Sequence, residues 1–276
     1  MIYMKIFIVG GTKESIDIIE FLKERYPEIS IVTSTTTEYG GNIAKNAGSD
    51  KVITRPLPKE DLIQVINGEK VDLLVDASHP FAEHITNTLC SIVDEMKIPF
   101  IRFEREPMYI EDMENINLSN VFHVDSFEDG GLLIKNNFTK GNILHLGGIN
   151  TASDVLKYVS KDRFYIRVLK VKSSMDKCKE LGIIEDHIFP MTASKNKDKK
   201  IHINENLELF KKVDAKIILT KESGDTGGFK EKIIAADRLG IKMIIIDRPH
   251  IKGLDDKIQV SNLNDFDGEL NRLLNL

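Results

Sequence analysis

Short apolar runs alternate with longer amphipathic segments through the first part of the chain. The runs are rich in Ile, Val and Leu, which is typical of buried strands in a parallel sheet. They lie at residues 5–9, 29–33, 51–54, 71–76 and 98–102. Strands that alternate with helices in this way predict a parallel sheet with helices on both faces. Residues 1–103 are therefore predicted to form a doubly wound, Rossmann-like α/β domain.

The alternation stops and then resumes in the second half. Residues 104–115 fit neither pattern and are interpreted as an inter-domain crossing. Further strands are predicted at residues 142–146, 164–169, 187–189, 216–220 and 243–246, with helices at 126–136, 175–181 and 266–274. Residues 116–276 are thus predicted to be a second α/β domain that closes a substrate cleft. The pattern favours two Rossmann-like parallel-sheet domains with the active site in the cleft between them.

Composition narrows the class of protein. The chain of 276 residues is 41% hydrophobic and 29% charged, and its formal charge of −5 argues against a general nucleic-acid binder. No apolar run approaches about 18 residues, and the amino terminus lacks the layout of a signal peptide. We therefore expect a cytoplasmic protein without a membrane partner. Cys90 and Cys178 are expected to be reduced packing residues, and no metal site is predicted.

The strand at residues 71–76 ends in a turn that carries polar side chains. Ser78 and His79 follow the strand, and Pro80 cannot continue it but suits the first turn of a helix. In an open α/β sheet, ligands bind at the carboxyl ends of the strands. These residues are therefore candidates for contact with a ligand.

A glycine turn follows the first strand. Gly10, Gly11 and Thr12 connect it to an amphipathic helix, so backbone N–H groups and the helix amino terminus could receive an anion. The turn lacks the third glycine of a full dinucleotide fingerprint. A tight turn without a ligand is the alternative.

The second strand ends in hydroxyl side chains. Ser34, Thr35 and Thr36 stand where an NAD-binding domain usually has an acidic residue for the ribose 2′-hydroxyl. Hydroxyls suit a 2′-phosphate better than a carboxylate does, which favours NADP over NAD. The alternative is a threonine-rich turn.

A second glycine-rich turn follows the strand at residues 216–220. Lys221 lies at the carboxyl end of this strand, and Gly224, Gly227 and Gly228 follow. An ordinary surface lysine is the alternative. The chain has no Ser-His-Asp arrangement and no phosphate-loop lysine. The residues alone therefore indicate a two-domain nucleotide-cofactor protein of the NADP-dependent reductase type.

Five stretches of the chain resemble the precorrin-6A reductase family of cobalamin biosynthesis, in family order and over nearly the whole length. The stretches are Val9-Gly-Gly-Thr-Lys-Glu-Ser15, Thr35-Thr-Thr-Glu-Tyr-Gly40, Asp76-Ala-Ser-His-Pro-Phe-Ala82, Arg102-Phe-Glu-Arg105 and Leu219-Thr-Lys-Glu-Ser-Gly-Asp-Thr-Gly-Gly-Phe-Lys-Glu-Lys232. The resemblance implies an oxidoreductase that reduces one double bond of the corrinoid macrocycle with NADPH, giving precorrin-6B or its cobalt form.

The resemblance also implies site residues. Those for the cofactor are Gly10, Gly11, Thr12, Glu14, Ser34, Thr35, Thr36, Tyr39, Gly40, Ser78, His79 and Pro80. Those for the carboxylate-bearing substrate are Arg102, Arg105, Arg167, Lys221, Ser223, Gly224, Gly227 and Gly228. Lys221 and His79 are the candidate catalytic residues, and the proton comes from one of them or from water.

Two segments depart from the family pattern. Residues 188–194 replace a glycine-proline-phenylalanine segment, and residues 54–57 replace a Gly-Arg-Leu-Asp-like segment. The lysine-rich run at residues 195–200 is interpreted as a surface loop, because it has no interleaved aromatic residues. Two other functions stay open: a non-catalytic NADP(H) sensor and an NADP-dependent reductase of another substrate.

Overall fold

Two six-stranded sheets form the framework of the protein. The structure, a computed structural model, describes residues 4–192 and 198–274. The strands are β1 (Lys5–Val9), β2 (Ser30–Thr35), β3 (Lys51–Thr54), β4 (Leu73–Asp76), β5 (Phe100–Phe103), β6 (Val121–Val124), β7 (Asn142–His145), β8 (Phe164–Leu169), β9 (Ile188–Met191), β10 (Ala215–Lys221), β11 (Lys242–Ile246) and β12 (Ile258–Val260). The helices are α1 (Lys13–Arg25), α2 (Glu38–Asn46), α3 (Lys59–Glu69), α4 (Glu83–Met96), α5 (Phe127–Asn137), α6 (Ala152–Leu156), α7 (Lys172–Glu180), α8 (Lys199–Val213), α9 (Phe229–Arg238) and α10 (Leu263–Leu274).

The chain divides into two units, and each unit contains one sheet. The first unit consists of Met1–Glu106 and Pro249–Leu276, and its strand order is β12-β5-β4-β1-β2-β3. The second unit is Pro107–Arg248, with the order β6-β11-β10-β7-β8-β9. The strand pairs described in both sheets are parallel. The predicted α/β fold class of two doubly wound parallel sheets is confirmed. The predicted cleft stays a prediction.

Successive side chains of β1 enter different cores, as the twofold repeat of a strand requires. Ile6 and Ile8 belong to a cluster that includes residues of α1 and α10. Phe7 and Val9 belong to a separate cluster that includes residues of α3 and α4. The first sheet is therefore covered by helices on both faces. Polar side chains that could contact a ligand are left to the loops at the ends of its strands.

The carboxyl-terminal segment belongs to the first unit, whereas the sequence pattern placed it in the second domain. Strand β12 pairs with β5, with Ile258 beside Ile101, and Phe266 and Leu270 of α10 lie in a core of the first unit. Strand β6 pairs with β11 in the second unit. The chain thus leaves the first unit after Glu106, forms the second unit, and returns to the first unit at Pro249.

Helix α8 begins inside the lysine-rich run at residues 195–200, which the sequence indicated to be a surface loop. The first residues of the lysine-rich run, 195–197, lie outside the described residues. The rest begins a helix, with the Asp198 side chain accepting a hydrogen bond from the Lys200 backbone N–H at 2.8 Å. Ile203, Leu207 and Phe210 pack in the core of the second unit at helical spacing. None of the helices within the two described ranges is both long and apolar enough to span a membrane.

Candidate active site

The glycine turn between β1 and α1 is shaped by Ser15 and Thr12. Thr12 caps the helix: its Oγ1 accepts a hydrogen bond from the Ser15 N–H at 3.2 Å, and the Ser15 Oγ accepts from the Gly11 N–H at 3.1 Å. A Cβ on Gly10 would lie 2.6 Å from the Ser15 Cβ, so this position requires glycine for close packing. Gly11 has a φ of +104°, and a Cβ there would meet nothing within 4 Å. The turn therefore leaves open space in front of a helix amino terminus, as an anion site requires.

The same turn is tied to the loop after β4. The Thr12 Oγ1 donates a hydrogen bond to the Ala77 carbonyl at 2.8 Å, and the Ala77 N–H donates to the Val9 carbonyl at 2.8 Å. Because β4, β1 and β2 are neighbours in the sheet, their carboxyl ends bring three predicted segments together. These segments are Gly10 to Thr12, Ser34 with Thr35, and Ser78 to Pro80.

The hydroxyls after β2 have different environments. Ser34 and Thr35 are buried, and the Thr35 Oγ1 donates a hydrogen bond to the Thr37 carbonyl at 3.0 Å. Thr36 and Tyr39 are exposed. Thr37, which the sequence analysis did not single out, caps α2 by accepting a hydrogen bond from the Gly40 N–H at 3.1 Å. Thr36 thus lies in solvent immediately before a capped helix amino terminus.

His79 and Pro80 lie in a turn before α4 rather than in its first helical turn. The helix begins at Glu83, three residues later than Pro80. The Phe81 N–H donates a hydrogen bond to the His79 Nδ1 at 3.2 Å, and the His79 and Phe81 rings are 5.9 Å apart. Pro80 is buried and His79 is half-buried. The turn therefore fixes the His79 ring at the strand's carboxyl end.

Arg102 points into the protein, which argues against the prediction that it binds a substrate carboxylate. Its side chain is 0% exposed, and its Nη1 lies 2.9 Å from the Asp76 Oδ1. Its Nη2 lies 2.6 Å from the Glu104 Oε2. Arginine is common at phosphate and carboxylate sites, but here the chain itself supplies two carboxylates. Sequence reasoning missed this pairing, because it depends on the register of β4 and β5.

Arg105 and Glu14 were predicted to bind substrate and cofactor respectively, and they bind each other. The Arg105 Nη1 donates to the Glu14 Oε1 at 3.0 Å, and both side chains are largely buried. Glu14 lies in the first turn of α1, where a carboxylate would repel a phosphate. Arg105 neutralises that carboxylate beside the glycine turn.

In the second unit, Glu222 holds the glycine-rich loop after β10. Its carboxylate accepts hydrogen bonds from the Gly224 N–H at 2.8 Å and the Met108 N–H at 3.1 Å, and Arg248 forms an ion pair with it. The loop is tight, because a Cβ on Gly227 would lie 2.2 Å from the Ser223 Oγ. Gly224 and Gly228 have φ values of +66° and +65°. Sequence reasoning missed Glu222, although it lies inside the matched stretch.

A buried lysine, Lys232, lies against this loop, and Arg167 of β8 lies close enough to influence its charge. The Lys232 Nζ donates a hydrogen bond to the Gly227 carbonyl at 3.1 Å, and the Arg167 Nη1 donates to the Asn206 Oδ1 at 2.7 Å. The pKa of Lys232 is lowered to about 7, mainly by burial and also by the nearby Arg167, while Glu231 opposes the shift. Burial also lowers the pKa of Arg167 to about 10. Lys232 was not singled out from sequence, since nothing in the lysine pattern separates it from Lys230.

Lys221 lies over an aromatic ring at the end of β10. Its Nζ is 5.5 Å from the centroid of the Phe127 ring, and that ring contacts His145. Burial lowers the pKa of His145 to about 4, so the imidazole is neutral near pH 7. The His145 Nε2 lies 3.1 Å from the Gly148 carbonyl. Lys221 thus lies beside a buried aromatic cluster. Because His145 is neutral, it adds no second positive charge to this cluster.

The remaining predicted residues of the second unit, Ser223, Gly224, Gly227 and Gly228, lie in the loop that Glu222 holds. Because β10, β7 and β8 are neighbours, Lys221 and Arg167 come from the same part of the second sheet. Within residues 4–192 and 198–274, no group of three or more His, Cys, Asp or Glu side chains is arranged to hold a metal ion.

The fold and the first-unit edge define a doubly wound α/β protein whose glycine turn and capped helix are typical of dinucleotide-binding domains. Residues 5–270 match the model of one family, described as precorrin-6x reductase CbiJ/CobK. The chain belongs to this family, an oxidoreductase family, and the family resemblance that the sequence indicated is confirmed.

Individual proteins agree with this assignment. A cobalt-precorrin-6A reductase of Methanothermobacter thermautotrophicus is 32% identical over 264 residues, which cover 95% of this chain and 82% of that protein. One of Methanocaldococcus jannaschii is 34% identical over 250 residues, covering 90% and 92%. The solved structure of CobK precorrin-6A reductase superposes with a TM-score of 0.73 at 18% identity and covers 98% of this chain and 97% of that one. That structure shares the fold.

Proposed function

We propose that this protein uses NADPH to reduce one double bond of cobalt-precorrin-6A, giving the cobalt-precorrin-6B form in cobalamin biosynthesis. The observation that carries the proposal is the meeting of three polar segments at one edge of the first sheet: the glycine turn, the hydroxyls after β2 and the turn at His79. Membership of the reductase family supports it. The cobalt form is preferred because the matched relatives of Methanothermobacter and Methanocaldococcus are named for it.

The residues of this edge fit a dinucleotide. The open space at Gly11 and the amino terminus of α1 suit a pyrophosphate, with Gly10 and Thr12 shaping the turn. When bound, NADPH supplies the hydride. The position after β2 holds Ser34, Thr35 and exposed Thr36 rather than a carboxylate, which supports NADPH over NADH. Gly40 and exposed Tyr39 lie in the first turn of the neighbouring helix α2.

Substrate carboxylates are proposed to bind at the loop edge of the second unit. Lys221 and Arg167 were predicted for this role, and Lys232 joins them from the structure. The Lys232 Nζ contacts the Gly227 carbonyl of the glycine loop, and Arg167, which lowers the Lys232 pKa, contacts the amide oxygen of Asn206. A bound carboxylate would return the pKa of Lys232 toward its ordinary value. The macrocycle carries several carboxylates, so such a site fits it.

His79 and Lys221 remain the proposed catalytic residues for proton delivery. The variants His79→Gln and Lys221→Met, which replace each residue by one of similar size, show which of the two delivers the proton. The variant that removes the proton donor lowers kcat with little change in the NADPH KM. Two equal, small effects would assign the proton to water. A cytoplasmic location and the absence of nucleic-acid partners stay predictions.

An anaerobic assay tests the proposal. The protein is mixed with cobalt-loaded or metal-free precorrin-6A and with NADPH or NADH, and cofactor oxidation and macrocycle absorption are followed together. We expect NADPH oxidation coupled to a spectral change of the cobalt form. Protein that binds NADPH and NADP⁺ equally and never binds the macrocycle would contradict the reductase and favour a sensor.

A pair of glycine variants places the cofactor in the same assay. Gly11→Ala forces an L side chain into a φ of +104° and fills the open space before α1, so the NADPH KM should rise about tenfold. Gly68→Ala is the matched control, because a Cβ there also meets nothing within 4 Å and the residue lies inside α3. Equal KM values for both variants would remove Gly11 from the cofactor site.

A further inference from the structure

Arg102 is a fully buried cation between two carboxylates of the first unit. In the sheet register it lies beside Asp76 of the neighbouring strand, and both side chains are 0% exposed. Its Nε and Nη2 donate hydrogen bonds to the Glu104 Oε2 at 3.0 and 2.6 Å. Its position under the carboxyl edge of β4 and β5 excludes direct contact with a ligand in this arrangement.

The bonds of this group converge on the loop after β4. The Asp76 Oδ1 accepts a hydrogen bond from the Ser78 N–H at 2.9 Å, and the Arg102 Nη1 donates to the Ser78 Oγ at 3.1 Å. The Asp76 Oδ2 accepts from the Thr86 Oγ1 at 2.8 Å, in the first turns of α4. Asp76 therefore binds the backbone N–H of Ser78 and Arg102 binds its side chain, so that Ser78 is fixed between β4 and α4.

A buried ion pair of this kind is weak evidence for stability, because burial costs each charge its hydration. Its directional bonds do fix geometry. An apolar pair would fill the same space without orienting the Ser78 hydroxyl or its N–H. The arrangement thus favours a role in the shape of the loop.

We propose that Arg102 is a positioning residue, which acts through Asp76 and Ser78 to hold the Ser78–His79–Pro80 turn in the conformation that binds the nicotinamide end of the cofactor. This inference rests on the proposed function, which places His79 and Pro80 there. Arg102 touches neither substrate nor cofactor. The resemblance assigned it to the substrate, and the geometry assigns it to the loop.

Conservative variants test the inference in the full-length protein. Arg102→Lys keeps the charge but loses the planar fork that reaches Glu104, Asp76 and Ser78 together. Thr86→Val keeps the shape of the side chain and removes two contacts of its hydroxyl, the bond to Asp76 at 2.8 Å and the longer contact with the Ser78 Oγ at 3.4 Å. Ser49→Ala is the control, because the Ser49 Oγ is likewise buried and lies 2.8 Å from the Thr33 Oγ1, away from the loop.

Two readouts are measured on each folded variant: hydrogen exchange of the Ser78 backbone amide, and the NADPH KM and kcat. In Arg102→Lys we expect the Ser78 amide to exchange about tenfold faster and kcat to fall about tenfold, with a raised NADPH KM. Thr86→Val should change the same quantities less. Ser49→Ala should change neither, and Arg102→Met should be worse than Arg102→Lys.

The two readouts keep this inference separate from the proposed function. Exchange at Ser78 and kinetics equal to those of Ser49→Ala would overturn the inference. Faster exchange with unchanged NADPH kinetics would overturn it as well, because the loop would then move without consequence for the cofactor. Wild-type protein that neither binds nor oxidises NADPH would instead contradict the proposed function, whatever the Ser78 amide does.

Discussion

Lys232 combines deep burial with a cationic neighbour, and this combination has a consequence for stability. Its pKa lies at about 7 in the folded protein, against an ordinary value of 10.5 in an unfolded chain. Between these values the unfolded chain holds the proton and the folded protein does not. Stability therefore rises with pH across this window, and the full cost of burying the charge is present below pH 7.

We expect Lys232→Met to be more stable than the wild type at pH 6, on the order of 3 kcal/mol, and the difference to shrink toward pH 10. Urea unfolding at pH 6, 8 and 9.5 measures it. Lys230→Met is the control, because Lys230 is exposed on the same helix and should leave the slope unchanged. An identical pH slope for Lys232→Met and the wild type would show that the lysine is not buried as described.

At the residue scale, the sequence identified residues whose role is determined by their immediate neighbours in the sequence. It did not identify the partners of residues whose role depends on a contact with a distant part of the chain. Gly10 and Gly11 were recognisable because glycine in a strand-to-helix turn has a conformational reason. Arg102 was assigned to the substrate, because its partner Asp76 lies on another strand and only the register joins them. Lys232 was missed for the same reason: its neighbour Arg167 belongs to β8.

At the element scale, helix α2 depends on one cap beside the proposed cofactor site. The Thr37 Oγ1 accepts the Gly40 N–H, and exposed Thr36 directly precedes it. Loss of the cap would fray the turn that follows the hydroxyl segment.

Thr37→Ala should lower the free energy of unfolding by about 1 kcal/mol and raise the NADPH KM about fivefold, while Thr37→Ser keeps both near the wild-type values. Ser126→Ala removes the equivalent cap of α5, where the Asp129 N–H lies 3.0 Å from the Ser126 Oγ. It should cost similar stability and leave the NADPH KM unchanged. A KM effect in both variants would mean that general destabilisation is the cause.

Sequence reasoning found the strands that are buried on both faces, and it also found the partly exposed edge strands β3 and β9, whose neighbouring apolar residues are uninterrupted. Strands β1 and β4 have long apolar runs, because helices cover each side of the sheet. Strands β6 and β12 were missed because each is short and a polar residue, His123 in β6 and Gln259 in β12, interrupts its apolar run. Helix α8 was hidden by its charged surface, although Ile203, Leu207 and Phe210 keep the helical period.

At the scale of the whole molecule, the first unit is discontinuous and the second is continuous. The first needs Pro249–Leu276 to complete both its sheet and a core that contains Phe266 and Leu270. The second runs from Pro107 to Arg248 without interruption. The two units should therefore respond differently when the chain is divided.

We expect a fragment of residues 107–248 to fold alone, and a fragment of residues 1–106 to remain unfolded or to aggregate, because β5 then has an unpaired edge. Circular dichroism and limited proteolysis of the purified fragments measure this. Adding a peptide of residues 249–276 to the first fragment should restore its helical signal. A cooperative unfolding transition of residues 1–106 alone would contradict the expectation.

The position of β12 in the chain also determines the order in which the two sheets are completed during translation. On the ribosome, β5 emerges long before its outer neighbour, and at about 5–20 residues per second β12 follows after roughly 10–30 s. The nascent chain meanwhile completes every strand of the second unit. Although its first five strands are made before those of the second unit, the first sheet is therefore completed only after the strands β6 to β11 have been synthesised.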